Sequence, residues 1–191
     1  MNIKTYIEFT KRWEGGLSRD VNDSASKYPC PTAYNGKTGW HTNVGITYKV
    51  WRSVFGSSND ARFFEMNNED WFKVFKSLYW DSVKGDQYEC FSIAVFVTGI
   101  AWGSGSHRAG IMLQQAINNL GGNLAVDGTI GLKTIKAAND CDDLKLFDEL
   151  TRLREQFFLA ISKEGSKNAK FRKGWLNRLE DYKRTFRPIQ K

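Results

Sequence analysis

From Phe91 to Trp102 the chain is apolar nearly all round, and a helix of that kind has no face to give to water. It falls short of the roughly 20 apolar residues that cross a bilayer and is interrupted by Gly and Thr. The segment Glu89 to Trp102 is therefore predicted to be a central buried helix, broken by Gly103, Ser104 and Gly105, around which other amphipathic helices must pack.

Those partners are visible in the spacing of the apolar residues. Ile3, Tyr6, Ile7, Thr10 and Trp13 recur at three- and four-residue steps and predict an N-terminal helix. Thr47 is placed to cap a helix carrying Val50, Trp51, Val54 and Phe55, ended by Gly56. Asn67 or Asn68, with Glu69 and Asp70 in the first turn, starts another whose stripe is Trp71, Phe72, Phe75, Leu78 and Tyr79. Further helices are expected over Ser106 to Leu120, from Gly131 through Ala138, over Asp142 to Ser162 and over Asn168 to Phe186, the last two as a pair. The fold class is mainly α, with little or no β structure. A soft boundary near residue 88 separates regions 1–88 and 89–191, which are expected to share one core.

One long stretch resists this pattern. Asp20 to Thr47 is rich in Asn, Asp, Ser, Gly and Pro and reads as an irregular polar loop. Loops of that length inside a compact domain commonly carry function. Just before it, Trp13-Glu14-Gly15-Gly16 closes the first helix, with Gly15 or Gly16 expected to supply the left-handed residue of a C-cap. Glu14 then meets the negative end of the helix dipole, which favours the protonated form that a general acid requires. The loop adds Asp20 and Asp23 as candidates for a second carboxylate, and Asn22, Asn35, Trp40, His41, Thr42 and Asn43 as polar groups and a flat ring suited to a sugar. Glycoside hydrolysis needs an acid on the leaving oxygen and a base, nucleophile or positioned water opposite. Asp-rich loops also form turns through their own side chains, and Asp20 and Asp23 stay undistinguished here.

The ordered segments Trp13-Glu14-Gly15-Gly16, Thr42-Asn43-Val44-Gly45-Ile46-Thr47, Tyr79-Trp80-Asp81, Trp102-Gly103-Ser104-Gly105, Leu113-Gln114, Val126-Asp127-Gly128-Thr129-Ile130-Gly131 with Thr134, and Phe171 to Arg178 resemble glycoside hydrolase family 108, the phage and bacterial N-acetylmuramidases, through nearly the whole chain. The order of Glu, loop acids, Thr and Gly-Ile is also similar to the phage lysozymes. The resemblance departs where Thr98 and Gly103 stand in place of an Asp and an Asn in many relatives. It implies a lysozyme-like helical fold with a long irregular active-site loop, and Glu14 as the catalytic acid. It further implies Asp20 or Asp23 as the second group, Thr42 positioning water or sugar, and Tyr34, Trp40 and Asn43 as subsite contacts. The C-terminal half resembles a peptidoglycan-binding region, with Asp127 a candidate contact. The implied activity is cleavage of the N-acetylmuramic acid to N-acetylglucosamine bond of peptidoglycan. The alternatives are a lytic transglycosylase and a non-catalytic wall-binding or secretion-assisting protein, since some relatives carry a secretion-activator label.

Charge and cysteines narrow the partners. A net charge of +7 attracts a polyanion, and the basic residues gather mainly in Lys163 to Arg187, without a finger, helix-turn-helix or RNA-binding signature. Peptidoglycan strands are therefore the expected partner, with no nucleic acid, no membrane span and no obligate protein partner. The start of the sequence lacks the pattern of a signal peptide, so synthesis in the cytoplasm, followed by release or non-classical export, is expected. Cys30, Cys90 and Cys141 make neither a disulfide framework nor, with His41 and His107, metal-ligand spacing. No metal or cofactor is expected. Cys30, between two prolines, reads as the most exposed thiol.

Overall fold

The computed structural model describes residues 3–57 and 60–189. The chain divides into two compact units, Met1–Leu78 and Tyr79–Lys191. The division falls inside a π-helical turn, Lys76–Trp80, N-terminal of the boundary near residue 88.

In the first unit, α1 (Ile3–Arg12) leads into the long loop. Within that loop a short 3-10 turn at Ser24–Lys27 precedes a two-stranded antiparallel hairpin, β1 (Thr42–Asn43) and β2 (Ile46–Thr47). Then follow α2 (Tyr48–Phe55), α3 (Asp60–Phe64) and α4 (Asn68–Phe75). The capping residues act as the sequence implies: Thr47 accepts from the Val50 N–H, and Asn67 from the Asp70 N–H.

The core of this unit is aromatic. Tyr6 meets Phe75 edge-on at 5.4 Å, Trp71 stacks on Phe75 at 5.0 Å, and Trp51 meets Phe63 at 5.9 Å. Phe9, Val74 and Ile46 are buried among them. Each aromatic ring removes a large apolar area from water and adds a preferred geometry, which lets a small unit bury enough surface to fold. On the α4 N-terminal side, Asp70 is buried and forked by Arg62 through Nε and Nη2.

In the second unit, α5 (Phe91–Ser104) is the buried central helix, with residues from Ser92 through Thr98 together with Ile100 and Ala101 buried. It packs against α6 (Ser106–Asn119), α8 (Asp143–Ile161) and α9 (Arg172–Phe186), and α8 packs on α6 and α9. Gly103 and Ser104 do not break α5. It ends only at Gly105, whose φ of 84° lies in the left-handed region. Among the described residues, no helix is long and apolar enough to cross a membrane.

The short α7 (Leu132–Asp140) follows a loop fastened to α6. Gln114 donates to Asp127 Oδ1 (2.8 Å) and to the Thr129 carbonyl (3.1 Å), and accepts from the Gly128 N–H (2.8 Å). Asn118 clasps the Leu124 backbone with its side-chain amide, Nδ2 donating to the carbonyl and Oδ1 accepting from the N–H. The loop backbone comes so close to α6 that a β-carbon at Gly110 would lie 2.1 Å from the Gly128 carbonyl oxygen. Only glycine permits that approach.

Candidate active site

The N-terminal helix stops at Arg12, short of Glu14. Two further bonds of the tighter i to i−3 kind carry the turn on, from Trp13 N–H to the Thr10 carbonyl (3.0 Å) and from Glu14 N–H to the Lys11 carbonyl (3.2 Å). Neither Gly15 nor Gly16 has a left-handed backbone. The chain instead leaves the helix at Glu14 and extends toward the hairpin, so a C-cap glycine is not needed. At Ser18 it pairs with β1: Ser18 N–H donates to the Thr42 carbonyl (2.9 Å), and the Ser18 carbonyl accepts from the His41 N–H (3.0 Å).

Glu14 is thereby held between the end of α1 and the Ser18–Thr42 bridge. Its side chain lies directly on the tip of the hairpin: a β-carbon at Gly45 would fall 2.5 Å from Glu14 Oε2, 2.8 Å from Cδ and 2.9 Å from Cγ. The tip is a two-residue turn, Val44-Gly45, with φ of 46° and 77°. Positive φ at both central residues is the type I′ pattern that matches the twist of paired strands. Gly45 meets the demand freely, whereas Val44, β-branched, carries strain of order 1–3 kcal/mol. Trp71 helps to hold it there, its indole N–H donating to the Val44 carbonyl at 3.0 Å. The turn under the Glu14 carboxyl is thus fixed by a residue of α4.

Beside the tip lies a histidine–threonine pair. His41 is fully buried, with Nε2 3.1 Å from the Asp20 carbonyl oxygen and Nδ1 2.9 Å from Thr42 Oγ1. A carbonyl only accepts, so in a neutral ring Nε2 carries the hydrogen and Nδ1 accepts from the Thr42 hydroxyl. The Thr42 proton then points at His41, and its oxygen lone pairs are left for another donor such as water. Thr42 itself is half-buried.

The loop acids separate. Asp23 caps the 3-10 turn, its Oδ1 accepting from the Ala25 N–H at 2.9 Å. Asp20 Oδ1 accepts from the backbone and side-chain amides of Asn22 at 2.9 and 3.1 Å, and its own carbonyl is the group bonded to His41. Of the two, Asp20 is the one linked through His41 to Thr42.

Tyr34 and Trp40 come together around a second tight turn. Tyr34 and Lys37 exchange backbone bonds across Asn35-Gly36, and the Trp40 indole N–H reaches the Tyr34 and Lys37 carbonyls at 3.3 and 3.1 Å. Both rings are half-buried, Tyr34 stacked on Phe64 at 4.5 Å and Trp40 facing the Arg19 guanidinium at 5.6 Å. Asn43 does not join them. It is buried, and its amide donates to the Phe63 carbonyl at 2.7 Å, tying β1 to α3. Asp127, in the second unit, closes its own turn by accepting from Gln114 and from the Thr129 N–H. The Gln114 bond first, and the Thr129 bond after it, hold its carboxyl below the usual carboxylate range.

Cys30 is not the exposed thiol expected between two prolines. Its N–H donates to the Trp40 carbonyl at 2.7 Å, which folds the loop back and buries the side chain, and burial pushes the thiol up from its ordinary value. Among the described residues, no three His, Cys, Asp or Glu side chains gather as metal ligands would.

A mainly helical unit that seats a glutamate on a small hairpin, with a threonine on the adjoining strand, places the chain in the lysozyme-like class of fold. The family described as Glycosyl hydrolase 108 matches residues 7–105, and the family described as Predicted Peptidoglycan domain matches residues 108–180. The chain belongs to the glycosyl hydrolase 108 family, with a peptidoglycan-binding-type region after it. The two matched segments meet at the α5–α6 turn, so α5 is matched with the first segment but packs within the second compact unit. In three dimensions the chain is similar to SagA of Brucella abortus, with a TM-score of 0.72 and 21% identity over 99% of each chain. No curated protein matches the sequence.

Proposed function

We propose that the protein hydrolyses the glycosidic bond between N-acetylmuramic acid and N-acetylglucosamine in peptidoglycan, with Glu14 as the general acid. The observation that carries this reading is the seating of the Glu14 side chain on the Val44-Gly45 tip, between α1 and the Ser18–Thr42 bridge. A general acid has to be held within hydrogen-bond reach of the oxygen it protonates, and this seat is fixed from both sides along the chain.

In the proposed step Glu14 gives its proton to the leaving oxygen as the bond from that oxygen to the anomeric carbon breaks. A water adds to the same carbon and gives up its proton. Thr42 Oγ1, with its own proton directed to His41, accepts from that water and holds it, and Asp20 takes the proton; where Asp20 instead stabilises the oxocarbenium ion, the Glu14 carboxylate takes it back. Tyr34 and Trp40 offer ring faces to neighbouring sugars. One observation favours a second reading: Asp20 and Asp23 both give a carboxylate oxygen to amide donors of their own turns. A glutamate working without them acts as acid and then as base on the muramic acid 6-hydroxyl, releasing an anhydro sugar.

Mass spectrometry of digested peptidoglycan separates these readings. Fragments with a reducing muramic acid end are expected. Anhydro ends, lighter by one water, would replace hydrolysis by transglycosylation, and reducing ends on N-acetylglucosamine would refute the proposed bond. Retention on insoluble wall without any release would leave the binding role alone.

A further inference from the structure

The connection from α8 to α9 is short and braced. Asn168 donates through its side-chain amide to the Ile161 carbonyl at 3.2 Å. Ser166 N–H donates to the Lys163 carbonyl and Ala169 N–H to the Ser166 carbonyl, both at 3.0 Å, and a 3-10 turn at Ala169–Phe171 leads into α9. Ser166, Asn168 and Ala169 are half-buried, while Lys163, Lys167, Lys170, Arg172 and Lys173 all remain exposed. Glu164 is the one acidic residue from 163 to 173, so the turn presents five cations against a single anion.

An apolar ring stands among these charges. Of the thirteen phenylalanines Phe171 alone is exposed, at 46%. It stacks on Trp175 at 5.7 Å, and Trp175 stacks on Phe158 at 5.3 Å, so the exposed ring is supported from within the unit. Lys170 Nζ lies 4.9 Å from the Phe171 centroid. Arg172 and Lys173 begin α9, whose first turn has no acidic residue and whose dipole disfavours cations there. An exposed apolar residue is ordinary by itself, and so is a charged helix face. Here both fall on one braced turn, with cations set against their own helix, and a partner at once anionic and apolar relieves both.

Two properties of the partner follow, negative charge for the cations and an apolar layer for the ring. A phosphate polymer would meet the cations but leave Phe171 in water. We propose that this turn docks on the surface of a membrane containing anionic phospholipid, with the cations among the phosphates and Phe171 at the level where headgroups meet acyl chains. The long Lys170 side chain lets its ammonium leave the ring for a phosphate as Phe171 enters. The attachment is peripheral and reversible, because it rests on one ring and a charge cluster. It does not depend on the Glu14 chemistry.

The test is sedimentation of the intact protein with vesicles of equal parts phosphatidylcholine and phosphatidylglycerol, compared with vesicles of phosphatidylcholine alone. Binding to the mixed vesicles is expected to be at least about tenfold tighter, and to fall as salt is raised. Each cation close to an anionic surface contributes about fivefold, so Lys170→Gln with Lys173→Gln should weaken binding about 25-fold. Phe171→Ser should weaken it by about threefold or more. Soluble poly(glycerol phosphate), which carries phosphates without acyl chains, and duplex DNA, each at equal phosphate concentration, should leave most of the protein on the vesicles. Melting curves check that the variants are folded, and the exposed lysine pair alone decides if Phe171→Ser is not. Equal binding to the two vesicle types, an unchanged double variant, an unchanged folded Phe171→Ser, or release of most of the protein by either polymer would overturn the proposal. Muropeptide release by the double variant is expected to equal the parent's, and a parallel loss would assign the cluster to the wall and overturn the membrane contact. A parent that binds the mixed vesicles yet releases no muropeptide overturns only the hydrolase.

Discussion

Gly45→Ala should disable the protein out of proportion to its effect on stability. Two costs arise at this position. At a φ of 77° an alanine is worse than glycine by about 1–2 kcal/mol. The new methyl would also stand 2.5 Å from Glu14 Oε2 and 2.9 Å from Cγ, against the roughly 3.5–4.0 Å at which carbon atoms rest. The carboxyl must therefore move by on the order of 1 Å, a misplacement that costs catalysis about 10²-fold. Gly165→Ala separates the two costs, because Gly165 has a φ of 78° with nothing within 4 Å of its would-be methyl. Both variants should lose about 1–2 kcal/mol in denaturant titration, but only Gly45→Ala should lose about 10²-fold in muropeptide release measured well below its melting temperature. Activity within about threefold of the parent for Gly45→Ala, or an equal loss for Gly165→Ala, would refute the reasoning.

Three further outcomes are expected. Val44→Asn places at the first turn position a residue that tolerates positive φ, and should raise stability by about 1 kcal/mol in denaturant titration; a loss would mean that the Val44 side chain contributes more packing than its backbone costs. Cys30 should resist a thiol reagent at neutral pH until the protein unfolds. Burial raises this thiol, so its stabilising contribution is complete below the unfolded value near 8.5 and is lost as the pH climbs above it; fast native-state labelling would contradict the buried placement. Asp127→Asn should lower the melting temperature at pH 6, because the depressed Asp127 carboxyl stabilises the fold above an unfolded value near 3.9. The difference from the parent should shrink as the pH falls below that value toward the lower folded one, and an unchanged difference would exclude the ionised carboxylate as its source.

Most helices were legible because their signals are local. Thr47, Asn67 and Asp142 cap α2, α4 and α8 with their own side chains, and the all-apolar stretch from Phe91 had to become the centre of its unit. The hairpin was not legible for the opposite reason. Val44-Gly45 lacks the usual Asn-Gly signal, and its shape depends on Trp71, distant in sequence. The short α3 offers only Phe63 and Phe64 as large apolar residues and is fastened from outside, by Asn43 to their carbonyls and by Tyr48 to Asp60.

At the site, Glu14 and Thr42 stood out by residue type, but His41, one polar loop residue among several, gains its meaning from contacts with Asp20 and Thr42 that spacing does not reveal. The buried Arg154 had one visible trace. Arg154 falls at helical spacing within the stripe of Leu150, Phe157 and Phe158, a charge on a face otherwise given to packing.

The most direct measurement is the rate of muropeptide release by Glu14→Gln, which keeps the side chain's size and removes its proton. A loss of about 10²- to 10⁴-fold, the usual contribution of a general acid, with an unchanged melting temperature is the predicted result. Release within about threefold of the parent would contradict the assignment of Glu14 and with it the proposed mechanism.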